Sequence, residues 1–336
     1  MGRNAKPTHW TQKEKLELGQ RLQSYVLEAL ARVTQWSPDD VAFQGGTALH
    51  MGHQSPRRSE DLDFLISQDL VGNSLVETMR KVRRRVEAAF VAEDASAQVE
   101  MKEKVGREGN PLELFEFKYS VAGRLGKAMT KVEYWPAERE KVQEYNAQVR
   151  PLARPDGHST PFPVADTDSI LADKLFALTA RPRTKYRDVH DIAWLVHESR
   201  DRATLTESLS QDSMVERYFV SASLYSKADW TAQDLLDTAR EHQRGMEAFA
   251  RADVDEHVQG AKDELEAFLP EHYSPSDVDA LARSWVENTQ KAASAFAANL
   301  GRALEEDAKA RALCETLLSS KPELAPEPPR PRRMGP

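Results

Sequence analysis

Phe43-Gln44-Gly45-Gly46-Thr47-Ala48-Leu49, with Arg57-Arg58-Ser59-Glu60-Asp61-Leu62-Asp63-Phe64 close behind it, decides how the rest of this chain is read. The first piece reads as a strand end, a glycine turn and the start of a short helix. The second runs into a strand, Leu62-Asp63-Phe64-Leu65-Ile66. Side chains two apart on a strand share a face, so Asp61 and Asp63 project together. Two adjacent carboxylates repel unless a cation or a shared proton lies between them. A hard divalent ion such as Mg2+ suits that pair, because it takes oxygen ligands and is commonly bound through one or two carboxylates plus substrate phosphates. The glycines let backbone N–H groups come close to a phosphate at a helix start. A metal-holding Asp-x-Asp and a phosphate-holding Gly-Gly-Thr together point to nucleotide chemistry.

Upstream, Leu16, Leu22, Val26, Leu30 and Val33 recur at helical spacing over residues 11–35, with Thr11 as the cap and Pro38 as the stop. Val41-Ala42-Phe43 is the strand that leads into the glycines. Downstream, a helix is predicted over 73–92, carrying Leu75, Met79, Val82, Val86 and Phe90. Alternation then marks strands at Gln98-Val99-Glu100-Met101, at 112–117 and at Lys131-Val132-Glu133-Tyr134-Trp135, with a turn-rich Gly106–Pro111 and a stop at Pro136. Pro151, Pro155, Pro161, Pro163 and Gly157 break the pattern and are read as a connection between domains. From Asp166 the chain reads as helical. Asp168-Ser169 is the expected cap of a helix bearing Ile170, Leu171, Leu175 and Leu178. Further helices are expected at 188–199, 212–224, 230–250, 253–268 and 275–318, with Pro270 and Pro275 marking a break. No internal repeat is visible. The expectation is an α+β protein: a mixed sheet with helices over 1–150, an all-helical domain over 164–319, and a disordered Pro/Arg-rich tail at 320–336.

Composition narrows the function. The 336 residues suit two domains of about 150 each. A 40% hydrophobic and 30% charged share fits a soluble globular chain. No apolar run approaches the ~20 residues a bilayer requires, and Met1–Lys6 is not followed by the apolar stretch of a secretory signal. The cytoplasm is the expected compartment. Cys314 is the only cysteine, which excludes an internal disulfide and a cysteine-rich zinc site. His190 and His197 match no zinc spacing, and no Gly-Lys-Ser/Thr follows the glycine turn as in a Walker loop. A net charge of −8 leaves any RNA contact to local patches. Arg80-Lys81-Val82-Arg83-Arg84-Arg85 and Arg181-Pro182-Arg183-Thr184-Lys185-Tyr186-Arg187 are the candidates, the alternative readings being a solvated helix face for the first and a surface loop for the second.

Gly45-Gly46-Thr47-Ala48-Leu49 followed by Arg57-x-Ser59-x-Asp61-Leu62-Asp63-Phe64 resembles the core motif of the nucleotidyltransferase (polymerase-beta-like) superfamily. Within it the match is to the AbiEii/AbiGii toxin family, the toxin half of bacterial abortive-infection and toxin–antitoxin pairs. A later block, Leu171-Ala172-Asp173-Lys174-Leu175-Phe176-Ala177-Leu178 with Arg181 and Arg187-Asp188-Val189-His190-Asp191, is similar to that family's Lys…Arg…Arg-Asp-x-x-Asp motif. The resemblance implies a nucleotidyltransferase-like first domain with its active cleft against the helical one. It implies Asp61 and Asp63 as Mg2+ ligands, and Gly45, Gly46, Thr47, Arg57, Ser59, Arg181 and Arg187 as nucleotide contacts, with Arg57 and Ser59 either contacting phosphate or bracing the loop. Lys174 would meet the triphosphate as a point charge. Asp188 would position Lys174 or Arg187, although Asp188 and Asp191 can equally be read as acids that offset a helix dipole. A third carboxylate is expected on a neighbouring strand, either Glu133 or its rival Glu116. The implied reaction moves a nucleoside monophosphate from an NTP to an acceptor hydroxyl, with tRNA as the leading acceptor and a separately encoded antitoxin as partner. A small-molecule or protein acceptor, or a non-catalytic nucleotide-binding module, are the alternatives. The paired acids together with Lys174 argue against the last.

Overall fold

The computed structural model describes residues 8–104, 112–154, 157–197, 209–226, 229–268 and 275–319. The expected turn at Gly106–Pro111, the break at Pro270 and the tail at 320–336 lie outside them. A short strand β1 (Thr8–His9) precedes helix α1 (Gln12–Val33). Thr11 opens α1 with a capping box: its hydroxyl accepts from the Glu14 N–H at 3.2 Å, and the Glu14 carboxylate accepts from the Thr11 N–H at 2.8 Å. Then follow β2 (Val41–Gln44), α2 (Gly45–His53), β3 (Asp61–Ser67), α3 (Asn73–Glu93), β4 (Gln98–Lys104), β5 (Glu113–Ser120), β6 (Arg124–Leu125), β7 (Ala128–Ala137) and α4 (Arg139–Gln143). An edge hairpin, β8 (Gln148–Ala153) and β9 (Ser159–Val164), leads to α5 (Thr167–Ala180) and α6 (Tyr186–His197). The described chain ends with α7 (Asp212–Leu224), α8 (Ala232–Arg251), α9 (Val254–Phe268), α10 (Pro275–Glu305) and α11 (Asp307–Ser319).

Seven strands form one mixed sheet in the order β4-β5-β7-β3-β2-β9-β8. β3 runs antiparallel to β2 and parallel to β7. One face of the sheet is apolar. Phe43, Phe64 and Tyr134 sit in one register row, and Phe64 stacks on both neighbours with centroids 5.0 Å apart. All three rings are fully buried, each contributing roughly 2 kcal/mol of hydrophobic stabilisation. Helices α1 and α3 pack together here, and the Tyr134 hydroxyl donates to Met79 Sδ of α3 at 3.3 Å. The opposite face carries Asp61, Asp63, Lys131 and Glu133. Among the helices, α10 packs against α6, α8 and α9.

Several expectations are corrected. The proline-rich segment is not an irregular connection. Pro151 pairs with Pro161, and Pro163 with Val149, inside the β8–β9 hairpin. Proline donates no ladder hydrogen bond and is confined to strands with an open edge. β9 meets β2 through a single register pair, Phe43 with Val164, so most of its other edge is free of a strand partner. The sheet therefore runs to Val164, past residue 150, where the first domain was expected to end. Asp166 rather than Asp168 caps α5, accepting from the Ser169 N–H at 2.7 Å. The helix expected over 275–318 is divided at Glu306 into α10 and α11.

Candidate active site

Register fixes the floor of the site. Gln44, Asp63 and Glu133 lie directly opposite one another on β2, β3 and β7, and Asp61 lies opposite Lys131 in the next row of the same face. Burial first, then the charges of Glu133 and Asp61, push the Asp63 carboxyl up to about 7, against the pull of Lys174 and Arg187. Burial and Asp61 likewise raise Glu133, while Lys131 and Arg187 oppose them. The Lys131 ammonium stands 3.9 Å from Asp61.

The two glycines are required by these side chains. Gly45 opens α2 at φ +75°, and a Cβ there would come within 2.5 Å of the Asp63 carboxylate. A Cβ on Gly46 would meet the Arg57 guanidinium at 2.5 Å and the Ser59 hydroxyl at 2.9 Å. Thr47 departs from expectation. It is buried, and its hydroxyl donates to the Asp61 carbonyl, tying α2 to β3 rather than facing the cleft. Arg57 is also committed inward. Only 3% exposed, it donates from Nε and Nη2 to both oxygens of Asp191, each at 2.8 Å. Of the two expected roles for Arg57, contacting phosphate or bracing the loop, bracing accounts for these contacts. Ser59 lines the cleft, and its carbonyl accepts from Gln23 of α1 at 2.9 Å.

Helices α5 and α6 supply the opposite wall. Lys174, 12% exposed, places its ammonium 3.0 Å from Asp188 and 2.8 Å from Asp191. Arg181 pairs with the second oxygen of Asp188. Burial works against the charge on Asp191, but Arg57 and Lys174 hold its carboxyl well below the usual range. Burial likewise opposes the Lys174 charge, yet Asp191 and Asp188 keep its pKa raised. Asp188 and Asp191 are thus bound up in ion pairs rather than left to offset a helix dipole. Arg187 is exposed at the cleft, and no ion pair within 4 Å engages it among the described residues.

These elements enclose a cleft of about 340 Å³. It brings together the expected Gly45, Gly46, Arg57, Ser59, Asp61, Asp63, Glu133, Lys174, Arg181, Arg187 and Asp188. Glu116 lies one strand beyond Glu133, between the ammonium groups of Lys104 at 2.8 Å and Lys118 at 2.7 Å. Of the two candidates for a third carboxylate, Glu133 is therefore the one beside the aspartates. The Arg80–Arg85 patch lies on α3, against the apolar face of the sheet. There Arg80 pairs with Glu77 and Arg83 with Glu87, as on a solvated helix face. Sequence reasoning missed Lys131, Trp135, Asp173 and Tyr225, which also line the cleft. Trp135 shares the face of Glu133 by simple alternation, and Asp173 adjoins Lys174, so both carried a signal. Tyr225 carried none.

Among the described residues no three acid, histidine or cysteine side chains gather as a ready metal cage. The donor chemistry nevertheless fits an open site for a hard divalent ion: two aspartates on one strand face, Glu133 beside them, and room for phosphate oxygens to complete the shell. Burial is the larger cause of the raised Asp63 carboxyl, and the negative charge of Glu133 and Asp61 that adds to it is what such an ion would neutralise.

A mixed sheet bearing Asp-x-Asp after a glycine turn, closed by helices carrying Lys174, defines a nucleotidyltransferase, an enzyme with an NTP as substrate. The family model described as "Nucleotidyl transferase AbiEii toxin, Type IV TA system" matches residues 28–284. The chain belongs to that family, and is the toxin member of a type IV toxin–antitoxin pair, which implies an antitoxin partner. A search of curated proteins returns no match. Among solved structures, MenT4, the nucleotidyltransferase toxin Rv2826c from Mycobacterium tuberculosis H37Rv, is similar with a TM-score of 0.50 at 16% identity, over 91% of this chain and 95% of its own. JHP933 from Helicobacter pylori is similar with a TM-score of 0.45 at 17% identity, over 88% of this chain and 95% of its own. Likeness to MenT4 at this identity concerns the fold. No helix among the described residues is long and apolar enough to cross a membrane.

Proposed function

We propose that this toxin transfers a nucleoside monophosphate from an NTP to a terminal hydroxyl of tRNA, in a Mg2+-dependent reaction at the cleft between the sheet and helices α5 and α6. The observation that carries this reading is the meeting in that cleft of Asp61, Asp63 and Glu133 from the sheet with Lys174 and Arg187 from the helices. Asp61 and Asp63 would hold the ion, which when bound neutralises phosphate charge and aligns the reacting groups. The first N–H groups of α2, at Gly45 and Gly46, face the phosphates. Lys174 spends two of its three donors on Asp188 and Asp191, leaving one for a phosphate oxygen. Arg187, free of ion pairs among the described residues, neutralises the triphosphate tail. The acceptor oxygen attacks the α-phosphorus, the bond to the bridging oxygen breaks, and pyrophosphate leaves with that electron pair. Glu133, its pKa raised, takes the proton of the attacking hydroxyl. The exposed Arg183 and Lys185 beside Arg181 and Arg187 give a polyanion a local basic edge on an otherwise acidic protein. Blocked tRNA ends would stop translation, which fits abortive infection as the setting of the toxin.

The test is incubation with Mg2+, each α-labelled NTP in turn and total RNA. Label is expected in RNA of tRNA size with at least one NTP, and Asp63→Ala should abolish it. Label confined to protein or to a low-mass product would replace the acceptor, and its absence from every fraction would remove the transferase reading.

A further inference from the structure

At one end of the cleft the walls change from charged to aromatic. Trp135 lies two residues beyond Glu133 on the same face of β7, and Tyr225 follows the last turn of α7. Their ring centroids are 4.7 Å apart, and Phe176 of α5 stacks behind Tyr225 at 5.1 Å with planes 16° apart. Tyr225 is nonetheless 46% exposed, and both it and Trp135 line the cleft. An aromatic side chain held by two rings yet left open to a polar cleft does not serve the core. Asp173 lies in the same wall. The Tyr145 hydroxyl at 2.8 Å and the Ser221 hydroxyl at 2.6 Å both donate to its Oδ1, and among the described residues no hydrogen bond reaches Oδ2. Ser221 is one helical turn before Tyr225, and Phe176 one turn after Asp173, so the two helices that back the ring also fix the carboxylate.

We propose that Trp135 and Tyr225 form the platform on which the base of the incoming NTP stacks, with Asp173 Oδ2 accepting a hydrogen bond from an exocyclic amino group on that base. The inference rests on the proposed function for the placement of the phosphates. The acceptor has a different approach: a second groove of about 210 Å³, lined by Lys15, Gln23 and Met129, shares Ser59, Asp61 and Lys131 with the cleft and so reaches the acids away from Trp135 and Tyr225. Stacking accepts any base, because every base has a π-face. A carboxylate acceptor at the base edge discriminates, as it does for the cytosine amino group in nucleic-acid recognition. Adenine, cytosine and guanine carry such an amino group and uracil does not, so UTP should be the poorest substrate.

Isothermal titration of the full chain in Mg2+ with the four α,β-methylene NTP analogues, and with inorganic triphosphate as a base-free probe, tests this directly. Wild type should bind the UTP analogue about tenfold more weakly than the others, a ratio in the range of one lost hydrogen bond to a charged group. Tyr225→Ala should weaken all four nucleotides by roughly 5- to 150-fold, the range for a lost aromatic stack, while triphosphate affinity holds. Tyr225→Phe should recover the nucleotides, and Asp173→Asn should erase the bias against uracil. If Tyr225→Ala loses its melting transition, Trp135→Ala is read in the same way. A wild type that fails to bind triphosphate would sink the phosphate placement and this inference with it. Triphosphate bound normally, with nucleotide affinities unmoved by Tyr225→Ala or reduced together with triphosphate, would overturn the platform alone.

Discussion

Asp191 is the residue whose loss should damage the fold most per atom removed. It sits fully buried between Arg57 and Lys174, accepting two charge-assisted hydrogen bonds from the first and lying 2.8 Å from the second. Asp191→Ala leaves these cations unequally placed. Lys174 keeps Asp188 at 3.0 Å, whereas among the described residues Arg57 keeps no acid nearer than Glu264, at 3.8 Å, beside the Arg58 carbonyl at 3.2 Å. Most of the penalty therefore falls on a guanidinium that is only 3% exposed. Removing one partner of a buried pair costs about 3–5 kcal/mol, and at about 2 °C per kcal/mol for a chain of this size Tm should fall by roughly 6–10 °C. Calorimetric melting of wild type, Asp191→Ala, Arg57→Met and the double variant measures both the cost and its origin. Replacing both partners by apolar side chains removes the stranded charge, so the double variant should lose clearly less than the sum of the singles. A Tm within about 2 °C of wild type, or a cycle that closes additively, would show that Arg57 finds water or another acid when Asp191 is gone, and the argument for a rigid brace would fail.

Two further outcomes follow from the same geometry. Gly46→Ala places a methyl 2.5 Å from the Arg57 guanidinium, which cannot yield because Asp191 pins two of its nitrogens; transfer activity should fall at least tenfold, and unchanged activity would mean the guanidinium moves. Glu133→Gln should lower the transfer rate by about 10²–10⁴, the usual worth of a general base, while Glu116→Gln should leave it alone, and equal losses would refute the choice between them. Glu116→Gln also has a pH signature. The ammonium groups of Lys104 and Lys118, at 2.8 and 2.7 Å, hold the Glu116 carboxyl down to about 2, from an ordinary value of 4.5. Its contribution is therefore present above pH 4.5 and lost as pH falls through about 2, so the Tm gap to wild type should close over that interval. A gap that stays constant into acid would show that the ion pairs contribute nothing.

How much of this was legible in the sequence depended on the range of each interaction. The glycine turn and Asp61-x-Asp63 could be read because period-two alternation is a local property of a strand. The brace could not, because Arg57 and Asp191 lie 134 residues apart and meet only when α6 docks against the loop before β3. The prolines at 151–163 misled because proline was weighed as a breaker, whereas β9 has an edge largely without a strand partner, where a missing N–H costs little. Tyr225 sits among helical apolar positions and has the spacing of a core residue; its exposure is set by how α5 and β7 converge on it. The third carboxylate is the sharpest case. Glu116 and Glu133 both alternate with buried apolar residues, and register puts them on the same face of the sheet. Alternation reports the face a side chain takes, but strand order decides its neighbours. That order follows from the packing of Phe43, Phe64 and Tyr134 in one row under α1 and α3, which brings β7 against β3 and leaves β5 outside. A chemical choice between two glutamates is thus made on the opposite, apolar face of the sheet.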